Sequence, residues 1–186
     1  MSGSIALFGD GLIAAGRWDE WLPSYQVKNL GVNGDTTDEA IARLDSIVDL
    51  QFDAVVLLIG ANDLGWRRSD EYVVRNIETI LVTLRRRLPH TRMLVQSVLP
   101  REREFATTIR SINRHLRQFA PTQHALYLDL WPVLAQADGE LSSAFSDDRL
   151  HLNDEGYAAW VGELGPALEA LFLQVPTTSA IPIQHA

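Results

Sequence analysis

The 186-residue chain contains no cysteine, which excludes disulfide staples and thiolate nucleophiles. It also lacks a long apolar run near its start. Ile5 to Phe8 falls far short of the ~7–15 residues of a signal h-region or the ~20 of a membrane helix, and no basic stretch precedes it. Positive charge is scarce: 16 Lys and Arg face 24 Asp and Glu, a formal net charge of −8, which argues against a nucleic-acid partner. The one basic run, Arg85-Arg86-Arg87, reads as the last turn of a helix, where cations complement the dipole. No metal-ligand cluster is visible, so no metal is expected, and no internal repeat is seen. These absences predict a cytoplasmic protein without a membrane span, and they leave a homo-oligomer open.

What is present is ordinary for a globular protein. With 46% hydrophobic and 22% charged residues, the chain has enough apolar material for one sizeable core and no compositional mark of disorder. One domain over residues 1–173 is expected. Residues 174–186, QVPTTSAIPIQHA, have no periodicity and contain two prolines, and are read as a C-terminal tail.

Short apolar runs at Ile5–Phe8, Gln26–Leu30, Ala54–Ile59, Arg92–Val98 and Ala125–Leu130 have strand length, and their near-continuous apolarity suits strands buried on both faces. Helical patterns lie between them. Val73, Ile77, Ile80, Leu81, Leu84 and Leu88 mark one helix, with Ser69 as N-cap and Pro89 as stop; Ile109, Ile112, Leu116 and Phe119 mark another. Thr36 with Glu39 forms a capping box for a helix through Leu44, and Asn153 caps a last helix carrying Gly165-Pro166 as a potential kink. Strands alternating with helices imply right-handed crossovers and a parallel sheet covered on both faces, an α/β fold.

Ligands of such sheets bind beyond the carboxyl ends of the strands, so the loops found there are the ones to read. They hold Gly9-Asp10-Gly11, Gly31-Val32-Asn33-Gly34-Asp35 and Gly60-Ala61-Asn62-Asp63, with Asp148-Arg149-Leu150-His151 ahead of the last helix. The backbone N–H groups of Gly11 and Gly31 and the Asn62 amide are neutral donors suited to an oxyanion hole, and Asp148 three residues before His151 can orient its imidazole as a general base. Asp10, Asp63 and Trp66 are read as substrate-contacting, with Asp63 also placed to orient its loop and Trp66 offering a ring for an acyl group or a sugar. Packing under the loop is the competing reading of Trp66. Arg101 and Arg103 stand in the loop after the fourth strand, and His90, His115, His124 and His185 have no carboxylate at a suggestive spacing.

Taken together, Phe8-Gly9-Asp10-Gly11, Asn29-Leu30-Gly31-Val32-Asn33-Gly34-Asp35-Thr36, Ile59-Gly60-Ala61-Asn62-Asp63 and Asp148-Arg149-Leu150-His151-Leu152-Asn153 with Gly156-Tyr157 resemble, in order and spacing, the four blocks of the SGNH or GDSL-type hydrolases. The resemblance runs from Ile5 to about Phe172. It implies a flavodoxin-like three-layer α/β/α sandwich with a parallel sheet of about five strands. It also implies serine esterase chemistry on a small-molecule, short-chain acyl or acetyl ester, without cofactor or metal.

One position departs from that pattern: Gly11 stands where the family has its nucleophilic serine. Three explanations compete. The first is a Ser-to-Gly replacement made to disarm the enzyme; the second is a natural pseudoenzyme that binds an ester, lipid or carbohydrate without cleaving it. The third is another nucleophile, either Thr36 or, in a phosphoryl-transfer reading with Asp63 and Asp148 holding Mg²⁺, Asp10. That last reading lacks an aspartate two residues after Asp10.

Overall fold

In the computed structural model, which describes residues 3–174, the five apolar runs form one sheet. Its strands are β1 (Ser4–Gly9), β2 (Gln26–Gly31), β3 (Ala54–Leu58), β4 (Arg92–Gln96) and β5 (Ala125–Leu128). All pairs are parallel, in the order β2-β1-β3-β4-β5. This is the flavodoxin-like order, and the direction of winding reverses between β1 and β3.

The period-two alternation of a strand explains why helices cover both faces. Ala6, Phe8, Val55, Leu57, Met93 and Val95 point to one side, and Ile5, Leu7, Val56, Leu58 and Leu94 to the other, each at 1% exposure or less apart from Leu58 at 2%. On the first side lie α3 (Thr37–Ala42), α4 (Asp45–Val48), α5 (Ala61–Gly65), α6 (Asp70–Arg87) and α7 (Ala106–Phe119). On the second lie α1 (Gly11–Ala14), α2 (Trp18–Trp21), α8 (Trp131–Leu134) and α9 (Asp154–Leu173), and Trp18 and Trp160 meet there edge-to-face with centroids 5.0 Å apart. Each fully buried aliphatic or aromatic side chain contributes about 1.5–3 kcal/mol, so the two cores dominate the fold's stability.

Local signals act where the sequence places them. Ser69 Oγ accepts from Tyr72 N–H at 3.2 Å, and Asn153 Oδ1 accepts from Gly156 N–H at 2.9 Å. Thr36 and Glu39 close the capping box of α3. Arg85, in the last turn of α6, donates to the carbonyls of Gln123 (2.9 Å), Pro89 (2.9 Å) and Thr91 (3.0 Å), so part of the basic run is structural.

The expected helix from Thr36 to Leu44 ends at Ala42, and a second short helix, α4, follows from Asp45. The chain leaves helical geometry at Arg43 (φ −111°, ψ 17°), whose guanidinium reaches back to the carbonyls of Gly9 and Leu30 at 2.8 Å each and to Asp35. The last helix is assigned as one element through Pro166, although that residue has no N–H for the carbonyl four residues earlier. Gln174 caps it, and the remainder of the expected tail, 175–186, lies outside the described residues. No described helix is long and apolar enough to cross a membrane.

Candidate active site

A cavity of about 470 Å³ opens at the switch point, where the loops after β1, β2 and β3 converge with the loop before α9. Asp10, Gly11, Asn33, Gly34, Asn62 and His151 supply its polar wall, and Leu12, Ala15, Ala61 and Leu150 its apolar one.

The corner after β1 is set by Asp10. Its Oδ1 accepts from Leu12 N–H at 3.0 Å and so caps α1, which leaves Gly11 as the first helical residue. Gly11 is not among the glycines with positive φ, so its backbone conformation makes no demand for glycine. A β-carbon there would lie 2.9 Å from Asn33 Oδ1, the end of an exposed, mobile-jointed side chain that can turn aside. From α9, Tyr157 Oη donates to the Leu12 carbonyl at 2.8 Å and pins this corner to the element that follows His151. Burial, with Asp10 nearby, pushes that phenol up to about 12, so it stays a neutral donor.

Asp10 itself is 1% exposed, and its Oδ2 has no hydrogen-bond partner. Burial pushes its carboxyl up to about 7, opposed by the Leu12 N–H and reinforced by Asp35 and Asp63. It lines the cavity and serves as the cap of α1.

Before α9, Asp148 Oδ1 accepts from the N–H groups of Leu150 (2.9 Å) and His151 (2.8 Å), while Oδ2 lies 2.6 Å from His151 Nδ1. Arg149 takes a left-handed conformation (φ 64°) to make this tight turn. The hydrogen bond to the imidazole, with the two backbone N–H groups, holds the Asp148 carboxyl well below the usual carboxylate range. Because a carboxylate only accepts, Nδ1 carries the proton in neutral His151 and Nε2 presents a lone pair. The expected pair is formed, and His151 lines the same cavity as Gly11.

The loop after β3 turns at Gly60, whose φ of 121° is closed to other residues, and delivers Asn62 into the first turn of α5. One N–H of the Asn62 amide goes to the Asp35 carbonyl at 2.8 Å; among the described residues the other has no partner. The N–H groups of Gly11 and Gly34 likewise find no protein acceptor among the described residues.

Two expectations are corrected. Gly31 does not line the cavity. Its N–H donates to Asn29 Oδ1 at 2.9 Å, and a β-carbon there would lie 2.2 Å from Ala14 N, so its glycine serves the close packing of α1 on β2. Gly34, at φ 82°, occupies the cavity wall instead. Asp63 does not face the cavity either. It is fully buried and accepts from Thr37 N–H (2.9 Å), Thr37 Oγ1 (2.7 Å) and Arg68 Nη1 (3.0 Å), bracing α3 against α5. Trp66 is 75% exposed and stands outside the cavity wall, one helical turn beyond Asn62, to whose carbonyl its N–H donates at 3.1 Å.

Other candidates are occupied. Thr36 is 3% exposed with its hydroxyl held by Glu39 and Arg68, so it is withheld from nucleophilic use. The carboxylates that a phosphoryl-transfer reading needs, Asp63 and Asp148, are spent on Thr37 and Arg68 and on His151. Arg101 is not solvated but buried beneath α5, donating to the Ala61 carbonyl at 2.6 Å. Asn33 and Gly34 were missed as wall residues; the glycine between two polar side chains was the available signal, since a turn with positive φ favours it.

The chain is similar to proteins of known kind. It is 27% identical over 184 residues to the platelet-activating factor acetylhydrolase IB subunit alpha1 of Bos taurus, covering 93% of this chain and 76% of that one. Its fold matches a GDSL-like lipase from Bacteroides thetaiotaomicron with a TM-score of 0.76, at 19% identity over 90% of this chain and 88% of the other. It also matches a catalytic mutant of an acetylxylan esterase from Geobacillus stearothermophilus with a TM-score of 0.73, at 16% identity over 87% and 92%. The model of the GDSL-like lipase/acylhydrolase family matches residues 7–159, the span that contains four of the five strands in full, the end of β1 and every residue of the cavity, and the chain belongs to that family.

Proposed function

We propose that this scaffold performs carboxylic ester hydrolysis through an acyl-serine intermediate, and that Gly11 marks a form of it lacking the nucleophile. The observation that carries the reading is the Asp148–His151 pair at 2.6 Å facing the same cavity as the unengaged N–H groups of Gly11, Gly34 and Asn62. In the serine form, His151 Nε2 takes the proton of the attacking hydroxyl and returns it to the leaving alcohol, and Asp148 stabilises the imidazolium. The three N–H groups receive the charge on the tetrahedral oxygen.

Gly11 is best read as a replacement for serine, because nothing in its backbone requires glycine and the rest of the site is complete. The acyl group is a short one, acetyl first, as the names of the acetylhydrolase and acetylxylan esterase relatives suggest. The chain as it stands retains its donors, binds esters and hydrolyses them slowly, His151 activating a water in the space of the absent CH₂OH. Such water lacks the effective molarity of a tethered hydroxyl. The test is turnover of p-nitrophenyl acetate with mass spectrometry of the protein. Slow turnover that His151→Ala abolishes, without an acyl adduct, supports the reading. A covalent adduct would point to another nucleophile, and ester binding with turnover indifferent to His151→Ala would favour a non-catalytic binding protein.

A further inference from the structure

A second polar pocket, of about 230 Å³, lies between α7 and the edge strand β5, formed by residues other than those of the ester cavity. Arg110, Arg114 and Arg117 recur at helical spacing and place three guanidinium groups on one face of α7, with Tyr127, Asp129 and Trp131 opposite. Like charges four residues apart repel and weaken a helix, so this clustering is not explained by helix stability. It is also out of keeping with a chain of net charge −8.

The partners of these groups are unevenly assigned. Arg117 is paired with Asp129 and lies over the Tyr127 ring at 5.5 Å. Arg110 lies over the Trp131 ring at 5.3 Å. Neither Arg110 nor Arg114 forms an ion pair or side-chain hydrogen bond among the described residues, and both are exposed. Asn113, between them, is spent on the N–H and carbonyl of Val98 at 2.8 and 2.9 Å. In the wall, Tyr127 Oη is buried without a hydrogen-bond partner. Burial, with Asp129 beside it, holds that phenol above its ordinary range, so it remains a neutral O–H.

We infer that this pocket is an anion site for a phosphate dianion, free or as a monoester, held by Arg110 and Arg114 with Arg117. Three guanidinium groups less the Asp129 carboxylate leave two positive charges, which a dianion neutralises and a single carboxylate does not. The planar guanidinium fork matches phosphate oxygens, and those of Arg110 and Arg117 are held near aromatic rings. The cavity's size admits the phosphoryl group with a small organic substituent, which would lie against the exposed part of Trp131.

The test uses the whole chain and does not depend on ester turnover. Inorganic phosphate and phenyl phosphate are titrated calorimetrically at low ionic strength, with acetate as monoanion control. Saturable binding is expected with a dissociation constant on the order of 1 mM or tighter, absent for acetate. Arg110→Gln and Arg114→Gln, both exposed and neutral to folding, should each weaken it at least roughly fivefold, whereas Arg103→Gln should not. Tighter binding of phenyl phosphate identifies a monoester as the ligand, and equal binding identifies free phosphate. No saturable binding of either, or binding that survives the Arg110→Gln/Arg114→Gln double substitution, overturns the site. Binding of poly-glutamate without binding of phosphate would overturn it in favour of an acidic protein partner.

Discussion

The amide of Asn62 donates one N–H to the main-chain carbonyl of Asp35, 2.8 Å away, so the loop after β3 is tied to the loop after β2 and the second N–H is left for the cavity. A side chain fixed in this way is poised before a charge develops, which is what makes an oxyanion donor effective. In a Gly11→Ser background, Asn62→Ala is expected to lower kcat by roughly 10²–10³ with little change in KM. Steady-state kinetics on a short acyl ester reads this directly. A change confined to KM would mean that Asn62 binds the ground state.

Asp63, one residue on, has the opposite character. Its carboxylate is fully buried against Thr37 and Arg68, so removing it strands two donors and a guanidinium. Asp63→Ala should cost about 3 kcal/mol of stability by urea unfolding. A variant of normal stability with a raised KM would return Asp63 to the role of substrate ligand.

The Asp10 carboxyl gives the protein a pH dependence of defined sign. Its folded value, pushed up to about 7 by burial, lies above its ordinary 3.8, so the folded state binds the proton more tightly. The associated stability is fully present below the unfolded value and declines as pH rises from ~4 to ~7, by up to about 4 kcal/mol. Asp10→Asn keeps an oxygen to cap Leu12 and cannot ionise. Urea unfolding at pH 4.5 and pH 8 should show the variant gaining on the parent chain at the higher pH. An identical difference at both pH values would contradict the assignment.

Most of the fold was legible because buried parallel strands are written as continuous apolar runs and long helices as stripes with caps. The strands of Ile5–Phe8 and Ala54–Ile59 and the caps Ser69 and Asn153 were found this way. Helices of four or five residues such as α1 and α5 have no period to read. At the site, Asp148 and His151 were legible because both partners lie in one turn. Gly31 was read as a cavity residue in place of Gly34 because the two lie three residues apart at the end of β2 and in the loop that follows it, and only the packing of Ala14 against Gly31 and the positive φ of Gly34 separate a packing role from a wall position. Asp63 looked like a site residue through its adjacency to Asn62; consecutive residues on a helix face different ways, one into the cavity and one into the protein.

Trp66 tests the cavity's outer reach. It is 75% exposed and lies one turn from Asn62, so Trp66→Ala should change stability by less than about 0.5 kcal/mol. In the Gly11→Ser background, KM for esters of bulky or sugar alcohols should rise roughly threefold or more, a loss of about 0.7 kcal/mol, while small esters are unaffected. An unchanged KM for both would remove Trp66 from substrate contact.

The central claim, that the site lacks only its nucleophile, is tested most directly by the rate of short p-nitrophenyl ester hydrolysis after Gly11→Ser. The backbone accepts a side chain there once the exposed Asn33 amide turns from the 2.9 Å approach, so the variant is expected to fold as the parent does. With Asp148, His151 and the N–H donors already in place, the rate should rise by roughly 10³ or more, and the rise should vanish in Gly11→Ser/His151→Ala. A folded Gly11→Ser variant no faster than the parent chain would contradict the claim.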